Sequence, residues 1–245
     1  MILELGLIGY PLTHSFSPAF FKALFEREGL SQRYRYQSYP LEHIGHFKTW
    51  AEENRLVGLN VTHPYKREIL SHVDELDPLC EQIEAANTLV LTPKGWKAFN
   101  TDVGGFVMAL EAFLGGDKPK GALVLGQGGA ASAVKAGLDR LGIPHQSVGR
   151  RQAPLLFQDI DEKWLSSHPL LVHCTPLGTF PNTEQAPPLP YHLLNENHWL
   201  FDLVYNPVTT LFMKKGAEKG AKTCNGDPML RHQAMLSWEI WQKHH

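Results

Sequence analysis

Leu3, Leu5 and Leu7 alternate with Glu4 and Gly6, the period of a strand with one buried face, and the run stops at Gly9-Tyr10-Pro11. Ser17 followed by Pro18 reads as a cap and first-turn pair, so a helix is predicted from Pro18 to about Glu28, ended by Gly29. Tyr34 to Tyr39 alternates again, and Leu41, Ile44, Phe47 and Trp50 recur at helical spacing in a segment reaching Asn54. Val57 to Val61 has the apolar, β-branched character of a short buried strand. Pro64 cannot extend it, because proline has no N–H for the ladder, so the chain turns at Thr62-His63-Pro64. Tyr65 to Leu70 then suits a short helix with Pro64 near its first turn. Strand, helix, strand, helix, strand implies a parallel sheet with right-handed crossovers.

The pattern continues with a helix over Leu79 to Ala85, a strand that Glu84 to Leu91 leads into, a turn at Pro93-Lys94-Gly95 and a strand from Trp96 to Asn100. Val103 to Leu114 is an apolar helix with Asp102 placed to cap it, and the polar link Gly115 to Lys120 is a candidate boundary. Beyond it, Ala122 to Leu125 is a buried strand, Ala130 to Leu141 a helix stopped by Gly142, and His145 to Val148, Leu170 to His173 and Trp199 to Asp202 are further strands. Pro181 to Pro190 reads as a loop, Thr210 to Lys219 as a helix ended by Gly220, and Thr223 closes a last short strand. In the final helix, Met229 to Trp241, residues Met229, Gln233, Leu236 and Ile240 share one face. Gln233 is thus an amide on an apolar stripe, either satisfied locally or in contact with a ligand.

A chain of 245 residues suggests two domains. Its 23 basic and 25 acidic residues give a net charge of -2 with no basic stripe, which argues against nucleic acid as a partner. Cys80, Cys174 and Cys224 form no C-x-x-C spacing, which speaks against a zinc site or a disulfide framework and fits a reducing compartment. Histidine pairs such as His43 and His46 lack an acidic or cysteine partner at ligand spacing, so no metal is expected. Met1-Ile-Leu-Glu lacks a basic leader, and no run approaches the ~20 apolar residues of a membrane span, so a cytoplasmic protein without a membrane partner is expected. His244 and His245 carry no part of this reading.

The candidate chemistry lies where strands end. Thr62 and Lys66 follow the third strand, at the edge where open α/β sheets place ligands, although an ordinary turn with a solvated lysine has the same pattern. Ser15 and Ser17 feed a helix N-terminus, where hydroxyls and backbone donors can hold a carboxylate. Gly126-Gln-Gly128-Gly129-Ala130-Ala131 sits between a strand and a helix, the context of a dinucleotide-binding turn. About 20 residues on, where an acid would hold a ribose 2′-hydroxyl, stand Arg150 and Arg151. Guanidinium groups there favour a phosphorylated ribose, hence NADP over NAD.

Seven phrases in register carry a resemblance: His14-Ser-Phe-Ser-Pro18, Asn60-Val-Thr-His-Pro-Tyr-Lys66, Ala86-Asn-Thr-Leu89, Asn100-Thr-Asp102, Gly126-Gln-Gly-Gly-Ala130, Asp202-Leu-Val-Tyr-Asn-Pro207 and Gly226-Asp-Pro-Met-Leu230. Their order and spacing resemble the shikimate dehydrogenase family from end to end. The resemblance implies an α/β protein with a substrate domain over 1–101 and 226–245, on a mostly parallel sheet, and a Rossmann-type NADP domain over 102–225. The C-terminal helix would pack back on the first domain. It implies reversible reduction of 3-dehydroshikimate to shikimate, on the route to chorismate and the aromatic amino acids, by a monomer or homodimer. Lys66 and Asp102 would be catalytic, and Ser15, Ser17, Thr62, Asn87, Tyr205 and Gln233 would hold substrate. Gly126, Gly128, Gly129, Ala130, Arg150, Arg151, Thr175 and Gly226 would hold the cofactor, the last two beside its nicotinamide end. Gly149, Arg151, His173 and Val103 depart from the family's usual Asn, Thr, Asn and Gly. Rival readings are a quinate/shikimate dehydrogenase with relaxed substrate and cofactor use, and a non-catalytic NADP-binding sensor.

Overall fold

The computed structural model describes residues 2–12 and 15–245; Met1, Thr13 and His14, the last being the first residue of the His14 to Pro18 phrase, lie outside the described residues. The chain divides into two compact units, Met1–Thr101 with Ala234–His245, and Asp102–Gln233. The division falls just before the Val103 helix and not at the Gly115 to Lys120 link. That helix packs its Phe106, Leu110 and Leu114 into the core of the second unit, which outweighs the loop-like composition of the link.

In the first unit, β1 (Leu3–Gly9), β2 (Tyr34–Pro40) and β3 (Leu56–Val61) form a parallel group in the order β2-β1-β3. The sheet then turns mixed. A short β4 (Glu75–Leu76) pairs parallel with β6 (Gly95–Phe99), while β5 (Thr88–Thr92) runs antiparallel to both β3 and β6. Helices α1 (Phe16–Arg27), α2 (Phe47–Glu53) and α3 (Pro78–Ile83) complete the amino-terminal part. The alternation of β1 separates two cores: Leu5 and Leu7 pack with Phe21, Phe25, Trp238 and Trp241, whereas Ile8 packs with Ile44, Phe47 and Leu59. Gly58 makes room for this packing, since a Cβ there would lie 2.6 Å from the Trp241 ring, whose Nε1 donates to the Leu89 carbonyl at 2.9 Å.

Several boundaries differ from the sequence expectation. Helix α1 begins at Phe16 with Ser15 in the cap position and without a side-chain cap bond, so Ser17 is a buried first-turn residue and not the cap. Pro18 is still tolerated, because the first-turn N–H groups have no partner within a helix. Leu41 to His46 is not helical: the Leu41 N–H bonds the Gly9 carbonyl, which holds this segment against the end of β1. After the cis peptide at His63-Pro64, Tyr65 to Arg67 is turn, and a 3-10 helix follows at Glu68–His72.

The second unit contains α4 (Asp102–Leu114), β7 (Ala122–Leu125), α5 (Gly129–Arg140), β8 (His145–Gly149), β9 (Leu155–Leu156), α6 (Glu162–Ser167), β10 (Leu170–His173), β11 (Trp199–Asp202), α7 (Leu211–Ala217) and β12 (Lys222–Cys224). All pairs are parallel, in the order β9-β8-β7-β10-β11-β12. That is the doubly wound dinucleotide order, whose direction reverses between β7 and β10. One face packs on α4 and α5 through Val124, Val134, Val172 and Phe201, the other on α6 and α7 through Leu123, Leu171, Leu165 and Phe212. The last helix, α8 (Asp227–His244), starts in this unit and ends in the first. Among the described residues no helix is long and apolar enough to cross a membrane.

Candidate active site

In the first unit the polar residues named from sequence gather at one edge of the sheet. Thr62 directly follows β3, and its N–H bonds the Ile8 carbonyl at 2.9 Å. The Lys66 carbonyl accepts the Ala86 N–H at 2.8 Å, which ties the lysine's turn to the segment carrying Asn87. Asn87 is buried; its Nδ2 donates to Thr101 Oγ1 at 2.9 Å, and its Oδ1 accepts the Thr101 N–H at 2.7 Å.

Beneath these groups runs a hydrogen-bonded chain that sequence reasoning missed. Asn60 Nδ2 donates to Ser237 Oγ at 2.9 Å, and the Tyr36 hydroxyl donates to Asn60 Oδ1 at 2.8 Å. Ser237 Oγ also lies 2.8 Å from Thr88 Oγ1 and 3.2 Å from Thr101 Oγ1. Burial pushes the Tyr36 phenol far above its usual range, against a smaller opposing effect of a hydrogen bond with Ser17. Ser17 and Asn87, at opposite ends of this chain, are therefore held by one network. Two signals pointed to it. Asn60 is a polar residue inside an apolar strand, and Ser237 stands four residues beyond Gln233 along α8.

In the second unit, Asp102 is buried and is the first residue of α4, one position inside the cap expected for it. A carboxylate there faces the positive end of the helix dipole. Helices α4 and α8 cross at Gly105, where a Cβ would lie 2.8 Å from Gln233 Cβ and 2.9 Å from the Met229 carbonyl oxygen. Gln233 is thus brought one helical turn from Asp102, and its Nε2 donates to Leu230 O at 2.9 Å. The amide is thus hydrogen-bonded within its own helix.

The glycine turn follows β7 at the reversal point. Gly126 has a φ of 130°, which favours glycine, and a Cβ there would lie 3.1 Å from Thr175 Cγ2. The N-terminus of α5, from Gly129 through Ala130, has no side-chain cap, and space beside Gly128 and Gly129 is open. Arg150 and Arg151 are exposed just after β8. Gln127 Nε2 bonds the Gln152 carbonyl at 3.1 Å, linking the glycine turn to this arginine segment. Gly226 accompanies Tyr205: its N–H bonds the Val204 carbonyl at 3.1 Å, and burial raises the Tyr205 phenol. A cleft of about 460 Å³ lined by Lys118, Lys120, Asn197 and Trp199 opens at the opposite, amino-terminal edge of this sheet, away from these residues.

Strand order, glycine turn and uncapped helix define the second unit as a Rossmann-type, dinucleotide-binding fold. Residues 7–89 match the family model described as the shikimate dehydrogenase substrate binding domain. The shikimate dehydrogenase (NADP(+)) of Desulforamulus reducens is 34% identical over 258 residues, covering 96% of this chain and 88% of that one. A crystal structure of a shikimate dehydrogenase in complex with NADP+ superposes with a TM-score of 0.89 at 31% identity, over 99% of this chain and 90% of the other. The shikimate 5-dehydrogenase of Thermus thermophilus, in complex with NADP(H) and shikimate, gives a TM-score of 0.86 at 32% identity, over 99% and 94%. The chain belongs to the shikimate dehydrogenase family.

Proposed function

We propose that the protein catalyses the NADPH-dependent, reversible reduction of 3-dehydroshikimate to shikimate, the step its relatives are named for, in the route to chorismate and aromatic amino acids. The observation that carries this reading is the glycine turn at Gly126, set at the reversal point of the sheet before an uncapped helix and followed at the end of β8 by two arginines and no acid. Backbone N–H groups at Gly128, Gly129 and Ala130 suit a pyrophosphate. The Arg150 and Arg151 guanidinium groups suit a ribose 2′-phosphate, and Thr175 and Gly226 flank the nicotinamide half of the dinucleotide, whereas Tyr205 belongs with the residues that hold the substrate. NADPH, when bound, supplies a hydride to the substrate carbonyl carbon.

The first unit supplies substrate binding and the proton. Ser15, whose side chain caps no backbone group, and Ser17 stand at the amino end of α1, a position that favours a carboxylate. Thr62 and Asn87 receive the substrate hydroxyls, and Gln233 completes this set. Lys66 gives a proton to the oxygen that becomes the new hydroxyl. Asp102 is proposed as the second catalytic residue, a buried carboxylate at the head of α4. Replacing Lys66 by alanine should lower kcat by about 10² or more. Unchanged kcat with a raised KM would reduce the lysine to a substrate clamp.

A further inference from the structure

The ends of β10 and β11 carry a buried polar chain among otherwise apolar strands. His173 and Asp202 are both fully buried, and His173 Nδ1 lies 2.9 Å from Asp202 Oδ1. Asp202 Oδ1 also accepts the Val204 N–H at 3.0 Å, and its Oδ2 accepts the Thr210 hydroxyl at 2.6 Å. A carboxylate surrounded by donors in this way acts only as an acceptor, so His173 presents Nδ1–H to it. The other ring nitrogen, Nε2, is hydrogen-bonded to the Thr175 hydroxyl, and Thr175 Oγ1 accepts the Leu177 N–H at 3.4 Å.

A threonine hydroxyl has one proton and two lone pairs. With its O–H donated to His173 Nε2 and one lone pair accepting the Leu177 N–H, one lone pair is left over. We propose that His173, oriented by Asp202, is a positioning residue that fixes the Thr175 hydroxyl as a hydrogen-bond acceptor for the nicotinamide half of the dinucleotide, where the carboxamide N–H is the donor it takes. The topology supports that side. Thr175 follows β10, on one flank of β7, while Arg150 follows β8 on the other, so the two nucleotide halves are divided by the glycine turn. An imidazolium at His173 would reverse the bond, turn the threonine proton outward and offer the ligand a donor instead. The inference rests on the cofactor reading above and adds a group that sets the polarity of that site.

Nitrogen-15 NMR of the histidines in the unliganded protein tests the first half, with the His173 signals assigned by their loss in His173→Asn. Dissociation constants for NADP+ and for its 3-acetylpyridine analogue, which lacks the amide N–H, test the second in wild type, Thr175→Val, Thr175→Ser and His173→Asn. The expected results are an Nδ1–H tautomer near neutral pH and a preference for the amide of about 5- to 10-fold in wild type and Thr175→Ser. That preference should fall to less than about 2-fold in Thr175→Val and His173→Asn. An Nε2–H or doubly protonated ring overturns the proposal, as does a preference that survives in Thr175→Val. If neither dinucleotide binds while the Nδ1–H tautomer is found, the cofactor reading is what has failed, and the acceptor role falls with it.

Discussion

Replacing Gly105 by alanine probes the crossing that brings Gln233 to the head of α4. The added Cβ would lie 2.8 Å from both Gln233 Cβ and Gln233 N, and 2.9 Å from the Met229 carbonyl oxygen. Favourable carbon contacts lie at about 3.5–4.0 Å, so each approach is short by roughly 0.6 Å or more. Two of the three atoms belong to the α8 backbone, so no side-chain rotation relieves them and the helices must separate. Overpacking of this kind costs about 1–3 kcal/mol, and the upper half of that range applies because Phe106, Leu110 and Met229 share one core here. Alanine recovers about 0.5–1 kcal/mol of backbone entropy within a helix, leaving a net loss of about 1–2.5 kcal/mol. For a chain of this size that lowers Tm by about 2–10 °C. The same displacement moves Gln233 away from the turn that carries Asp102, so KM for shikimate should rise about 3- to 10-fold, with kcat changing less. Thermal unfolding beside steady-state kinetics reads both effects. A variant as stable as wild type with an unchanged KM refutes the close crossing and the substrate role of Gln233 together.

Gln127→Ala removes the bond to the Gln152 carbonyl, and Gln152 is a non-glycine residue held at a φ of 51°. Calorimetry should show NADP+ bound about 3- to 5-fold more weakly, with NAD+ affinity nearly unchanged; equal losses for both would place the effect on the pyrophosphate turn instead. Burial lowers the pKa of His198 from 6.5, against smaller opposing effects of the Asn195 and Leu165 backbone. The unfolded chain therefore binds the proton first, so this group's stability contribution is present above about pH 6.5 and is lost as pH falls through the depressed folded value. Urea midpoints measured from about pH 5 to pH 7 should fall less steeply on acidification in His198→Gln than in wild type, and identical slopes would contradict the assignment.

Much of this architecture was legible because it depends on local periodicity. The alternation of Leu3, Leu5 and Leu7, and the apolar runs at Leu170 to His173 and Trp199 to Asp202, coincide with observed strands. The Gly126 turn was legible for another reason: a strand, a glycine with positive φ and a helix are contiguous in sequence. Long-range partners were not. The place of β5, antiparallel to β3, depends on which strand edge remains open and not on its own residues. Ser237 joins Asn60 across 177 positions, and His173 meets Asp202 across 29, so a polar residue in an apolar run could be noticed but not paired. The helix over Leu41 to Asn54 was overextended because the spacing of Leu41 and Ile44 fits a helix. Their segment is instead fixed by the Leu41 bond to the end of β1 and by burial of Ile44.

The most direct test of the function is the rate of reduced-nicotinamide formation by the unmodified protein, with shikimate or quinate and with NADP+ or NAD+. The account predicts rapid reduction of NADP+ by shikimate and much slower turnover in the other three combinations. Preference for quinate or NAD+ would favour the relaxed relative, and cofactor binding without turnover of either acid would contradict an enzymatic role.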